Sequence, residues 1–406
     1  MPDAVLAPLT SPSAFALGLA LLGAALARAG VLSWLSARPV LVLAMGVLAG
    51  AALRLTSLPS VGPDAVREAA RLGLALLAFA AAQACAPSRA GRASAPALRL
   101  AVLAGPGLAL VTAAAVFALL PALGPWSALL VGACLPLGVG AFDEGAAMAA
   151  PLPDATKRAV RVDAALGVAF GVPIAVLVEA VSVAPPAGAD PTQAAGFAQL
   201  AGAAFGGTIG LLAGRALPVR RAGLPRAPFG VFALAYGSAY LLGFDAVMAG
   251  AACGLLHSEE ARLTGPMRSR LFSAGARWCA PFGVFALGLL LGPVALQADL
   301  LVWLAALVPV LALRVALRGA ALGGAELPAA DKAFLSWFGG VPGAGAALFV
   351  VSLLGSPSPA AQGGALAVAA LSVMAGLTYA RLASGPLVTR QVRAAARARR
   401  KRYGAA

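Results

Sequence analysis

Gly132-Ala133-Cys134-Leu135-Pro136-Leu137-Gly138-Val139-Gly140 and Gly339-Gly340-Val341-Pro342-Gly343-Ala344-Gly345 each place one proline and three or more glycines inside an apolar run. In lipid, proline and glycine free backbone groups that hydrocarbon cannot satisfy, so such runs belong where a helix breaks against other protein or beside a cavity. The two runs predict two membrane helices that are interrupted near mid-membrane and cross. Their four half-helix ends, two positive and two negative, would surround one point suited to ions. Tight packing by small residues is the competing reading, and Gly167 and Gly171, four apart, are another instance of it. Proline coinciding with several glycines in both runs favours the break.

The rest of the chain fits a bilayer. Of its 406 residues 61% are hydrophobic and 11% charged, which excludes a water-soluble enzyme. At roughly 20 residues per span the length holds about a dozen helices and no sizeable soluble domain. Apolar stretches fall at 12–35, 39–55, 65–86, 99–121, 125–149, 159–184, 195–217, 228–243, 245–258, 271–297, 298–318, 333–355 and 363–387. The expectation is an all-α polytopic membrane protein of about 13 transmembrane helices. With Pro2 and Asp3 in place of a basic segment, the first stretch reads as a retained span and not a cleaved signal.

Basic residues cluster in alternate loops, as the positive-inside rule requires: Arg89 to Arg99, Lys157 to Arg161, Arg215 to Arg226, Arg262 to Arg277, Arg314 to Lys332 and Arg390 to Arg402. Only Arg54, Arg67 and Arg71 of 30 basic residues oppose a scheme with the N-terminus outside and the C-terminus in the cytoplasm. The net charge of +15 is thereby read as orientation in the cell membrane, not nucleic-acid binding. The broken spans, fifth and twelfth, are seven apart and run in opposite directions. This predicts a transporter domain over 1–387 with inverted repeats at about 12–184 and 228–387, linked by the helix at 195–217. The basic tail, 388–406, would lie on an anionic leaflet at about 1 kcal/mol per basic residue. Cys85, Cys134, Cys253 and Cys279 read as small core residues, and the single histidine, His257, as a helix-end residue. No metal or cofactor motif is present.

Several segments resemble bacterial sodium/proton antiporters of the monovalent cation/proton antiporter superfamily. The run from Ala333 through Trp337, Phe338 and Gly339 resembles that family's "WFGPRG" helix. Leu129 to Ala133 resembles the "LLLGA" that opens its "SPTDP" motif, and Tyr236 to Leu256 resembles its "GSGFLAVFVAGL" helix. Arg314 sits where a helix-end arginine is expected. The resemblance implies a transporter, not an enzyme, that exchanges a monovalent cation for protons. It also implies a homodimer.

The departures fall on the chemistry. The family's Asp aligns with Val139, its flanking Thr and Pro with Gly138 and Gly140, and its Asn-Asp pair with Gly167 and Val168. The arginine of "WFGPRG" aligns with Val341, and the acid of "LLFEAG" with Ala80. Pro136, Gly138, Val139, Gly140, Gly167, Val168, Gly340, Val341 and Pro342 are therefore the expected crossing positions, with both signs of charge lost together. Asp163 stands where the family has Glu. Asp163, Glu144, Asp143 and Glu179 are the carboxylates that could carry a cation or proton, because an intramembrane acid marks a pathway. Their structural reading is an interfacial acid, facing Lys157, Arg158 or Arg161 in the cytoplasmic cases. The functional alternative is a neutralised relative that carries an uncharged or anionic solute without proton coupling, or a non-transporting membrane partner.

Overall fold

The computed structural model describes residues 38–55, 63–85, 95–138, 154–182, 191–216, 226–261, 263, 265–325, 327–354, 356 and 363–403, and these form helices and turns without a strand. The apolar stretch at 12–35 lies outside them. Helices occupy the later stretches: α1 (Pro39–Leu55), α2 (Pro63–Cys85), α3 (95–119), α4 (Gly124–Cys134), α5 (Asp154–Val181), α6 (Pro191–Ala216), α7 (Arg226–Leu241) and α8 (Ala246–Glu260). They continue as α9 (Gly265–Gln297), α10 (Leu300–Leu322), α11 (Ala329–Phe338), α12 (Ala344–Ser352) and α13 (Gly364–Tyr403). Five are long and apolar enough to cross a bilayer outright: Pro96–Leu119, Ala159–Val181, Gly196–Ala216, Leu300–Leu322 and Gly364–Ala383. The chain is an all-helical membrane protein.

The helix pair around Phe244 is separated by a turn at Leu242–Asp245. Gly243 takes φ +73° there, and Asp245 caps α8 by accepting from the Met248 N–H at 2.7 Å. The last helix is long. The stretch at 363–387 and the basic segment after it form one helix of 40 residues, with Pro386 inside it. At 1.5 Å per residue it is about 60 Å long, twice the hydrocarbon thickness, so its basic end stands beyond the core of the bilayer.

Small residues set the helix spacing, as expected where lipid gives no hydrophobic drive between helices. Gly202, Gly206, Gly210 and Gly214 form a stripe of period four along α6, pressed on α8. A Cβ at Gly206 would collide with the Ala249 carbonyl, and one at Gly210 with that of Cys253. α12 sits at the centre, with every residue buried. Leu200, Leu241 and Phe197 present more than two thirds of their surface outward, as lipid-facing side chains do.

α3 and α10 share a further feature. Each contains a π turn, Leu100–Ala104 in the first and Pro309–Leu313 in the second. Each π turn packs on the other helix, just beyond that helix's own π turn. The widened turns bring α10 against α3 with Arg314 and Arg318 directed inward, both buried.

Gly206→Val is expected to push α6 from α8 and destabilise the protein by about 1–3 kcal/mol, read as a lower Tm of the detergent-purified chain. Gly230→Ala, where no atom lies within 4 Å of the added Cβ, is expected to leave Tm unchanged.

Candidate functional site

The second glycine-proline run breaks its helix. α11 ends at Phe338, residues 339–343 are non-helical, and α12 starts at Ala344. The first run ends α4 at Cys134 and continues as a turn through Gly138. Val139, Gly140, Asp143 and Glu144 lie outside the described residues. The two breaks meet. The Leu137 carbonyl accepts the Ala346 N–H at 2.9 Å, supplying a partner to the first turn of α12. Gly138 abuts the Val341 carbonyl, 2.5 Å from where a Cβ would stand. Gly167 passes under the Pro136 carbonyl and Gly171 under the Leu137 side chain, so this pair does serve close packing, and it does so at the crossing. Val341 and Val168 are buried, at 3% and 0% exposure. Pro342 stacks on Gly376 of α13.

The C-terminal end of α11 exposes carbonyls to the protein interior, and two arginines of α10 satisfy them. Arg314 Nη1 donates to the Trp337 carbonyl at 3.1 Å and to that of Gly339 at 2.6 Å, and its Nε donates to Val310 at 2.9 Å. Its guanidinium lies 4.9 Å from the Tyr379 ring centroid, and the Tyr379 hydroxyl also donates to Trp337, at 3.1 Å. Arg318 Nε donates to the Leu335 carbonyl at 3.1 Å. Its other two nitrogens hold Asp163, Nη2 to Oδ2 at 2.5 Å and Nη1 to Oδ1 at 3.4 Å. A Cβ at Gly339 or Gly340 would strike this guanidinium, and Gly340 has φ +62°. The two glycines are the cradle of Arg318.

Among the described residues, Asp163 is held by Arg318, a partner distant in sequence. Sequence reasoning missed Arg318 because it counts the residue with the loop cluster from Arg314 to Lys332. Two signals pointed to it: the four-residue spacing from Arg314, which puts both on one helix face, and the adjacent glycines, which leave room for a large planar group. The negative end of α11 is occupied by the guanidinium groups of Arg314 and Arg318.

Among the described residues, Asp163 and Arg318 are the charged members in the wall of a cavity of about 400 Å³, whose other described lining is apolar or backbone and includes Gly138, Gly167, Gly340 and Val341. Val168 points elsewhere, into the main core. Glu179 is not part of this site. It lies 16 residues further along α5, about 24 Å away at helical rise. Buried there, it accepts from the Ser356 hydroxyl at 3.1 Å and faces Arg67 and Arg71, each at 3.8 Å. Arg71 also reaches Asp245 at 3.9 Å. Two of the three arginines that oppose the charge alternation, Arg67 and Arg71, are thus matched by acids at their own end of the helices. His257, in the last turn of α8, is buried against Gln83 at 3.1 Å, and it is absent from the cavity wall.

No family model and no curated protein sequence matches the chain. Among solved structures, it is similar to the sodium proton antiporter MjNhaP1 from Methanocaldococcus jannaschii at pH 8, with a TM-score of 0.68 and 16% identity over 93% of this chain and 99% of that one. The likeness shows an antiporter fold.

Removing one member of a buried ion pair strands the other. Arg318→Met is expected to cost about 3–5 kcal/mol, while Asp163→Leu with Arg318→Met should recover most of it. Thermal unfolding of the purified variants measures this; additive losses would show that the pair does not act as a unit.

Proposed function

We propose that the protein is a membrane transporter of the sodium/proton antiporter type, with Asp163 as the carboxylate that takes a monovalent cation or a proton. One observation carries this reading: a buried carboxylate lies in the cavity wall beside the broken helix, in a chain of antiporter fold. Arg318 supplies the counter-charge of the unloaded state. A cation or proton reaching Asp163 displaces the guanidinium, which keeps its bond to Leu335. Because both carboxylate oxygens are already engaged, exchange is weak compared with a site whose carboxylate is open.

The proposal includes about thirteen spans, the N-terminus outside, the C-terminus in the cytoplasm, and inverted repeats. Matching features support the repeats: π turns in the fourth and eleventh apolar stretches, and breaks in the fifth and twelfth. A homodimer is proposed from the resemblance alone. The engagement of Asp163 by Arg318 and the apolar cavity wall favour a second reading, a carrier of an uncharged or anionic solute without proton coupling. A non-transporting membrane partner is the limiting form of that reading.

Reconstituted vesicles distinguish the readings. Asp163→Asn should abolish sodium- and potassium-dependent proton movement, as should the double variant with Arg318→Gln, which removes the stranded cation. Unchanged exchange in both would transfer the role to Glu144 and Asp143. Exchange that persists with Asp143, Glu144, Asp163 and Glu179 all replaced by amides would overturn every carboxylate mechanism. Absence of exchange in the unmodified protein would favour the second reading.

Orientation has a separate test. Single cysteines at Ala189 and Gly404, introduced after replacement of the four native cysteines, should be labelled from opposite sides of the membrane; labelling from one side would reject the topology.

A further inference from the structure

α5 carries a second buried carboxylate, Glu179, which the site at the crossing does not use. The cavity beside Asp163 takes one face of α5 into its wall, through Val160, Gly167, Gly171, Ile174 and Val178. From Val160 to Val178 is about 27 Å at helical rise, so that wall runs from the crossing to the residue next to Glu179. At this far end Glu179 accepts from Ser356, which follows α12, and faces Arg67 and Arg71 of α2. Arg71 in turn faces Asp245 at the start of α8.

These charges join two groups of helices, each interlocked through backbone. Gly206 and Gly210 fix α6 to α8, and Gly254 of α8 lies against the Phe79 carbonyl of α2. In the other group Gly167 seats α5 on the turn after α4, whose Leu137 carbonyl holds α12. Where α2 meets α12, the contact is a side chain: Leu348 lies 3.1 Å from where a Cβ of Gly73 would stand. Packed side chains permit the small sliding of a shear motion, which interlocked backbones oppose. The charges at the end of this boundary are loosely paired. Arg67 and Arg71 stand 3.8 Å from Glu179, beyond hydrogen-bond length, whereas Arg318 grips Asp163 at 2.5 Å. The two arginine side chains are 19% and 24% exposed, so water can take over their charge when they part. We propose that Glu179 with Arg67 and Arg71 is a gate at the end of the transport path opposite Asp163, closed in this structure and parted when the two helix groups shear. The gate rests on the transporter reading.

Cysteine reactivity in the full-length, detergent-purified protein, with the four native cysteines replaced, tests it. Ala175 stands one turn before Glu179 on the same face of α5 and is fully buried. A175C should react slowly with a permanently charged thiosulfonate. E179Q and R67Q/R71Q should each raise that rate about fivefold, as expected for the loss of about 1 kcal/mol from the closed state. R71K, which keeps the charge, should leave it unchanged. Ala305, equally buried near the start of α10, serves as control: A305C should stay slow in every variant. Unchanged reactivity of A175C in E179Q and R67Q/R71Q overturns the gate, as does an equal rise at A305C, which would mark general loosening. If E179Q does not fold, R67Q/R71Q decides. Exchange by the unmodified protein in vesicles decides the transporter reading separately, since the labelling requires no cargo.

Discussion

The broken end of α11 is the constraint from which the site follows. A helix that stops inside a membrane protein leaves carbonyls with no water to satisfy them, together with about half a negative charge at its C-terminus. Arg314 and Arg318 answer both demands, hydrogen-bonding Leu335, Trp337 and Gly339 and placing positive charge at the negative end. Two buried guanidiniums then require their own compensation. Arg314 has the Tyr379 ring face, and Arg318 has Asp163. Gly339 and Gly340 lack side chains because the guanidinium occupies the space those side chains would take.

The surrounding helices keep this arrangement in register by contact between backbones. α4 ends against α12 through the Leu137 carbonyl, and α5 reaches both through Gly167 and Gly171. The same device holds α6 to α8 and α1 to α9 far from the crossing. With small residues at the contacts, each helix has one permitted rotation, and the large apolar side chains on its other face are committed to lipid. The crossing differs from these contacts in being the place where small residues, helix ends and charge coincide.

Much of this was legible in the sequence. Pro342 amid glycines declared the break between α11 and α12, Pro136 amid glycines marked the end of α4, and the apolar runs declared the helices around them. Arg318 was hidden because the positive-inside rule assigns a basic residue near a span end to a loop, and sequence has no term for the depth to which a guanidinium can follow a helix inward. Arg67 and Arg71 were hidden by the same rule from the other side. They looked like exceptions until Glu179 and Asp245, distant in sequence, were found beside them. The resemblance singled out Asp163 as an acid in place of the family's Glu, but its partner Arg318, 155 residues away, carried no sequence signal tying the two together.

Charge arithmetic at the crossing bears on how exchange would run. Among the described residues, the two arginines contribute two positive charges, and Asp163 with the α11 end contributes about one and a half negative, leaving about half a positive charge. A bound cation or a bound proton each raises this to about one and a half, so the two loaded states cost nearly the same. The unloaded state, with Arg318 on Asp163, is lower than either. In the proposed mechanism Arg318 acts as a resident cation that must be displaced before cargo binds and that returns when cargo leaves. A carrier built this way crosses empty at little electrostatic cost and loads with difficulty, the reverse of a site with an open carboxylate. Under the proposed mechanism the resident charge would weaken loading by cation and proton alike, without choosing between them.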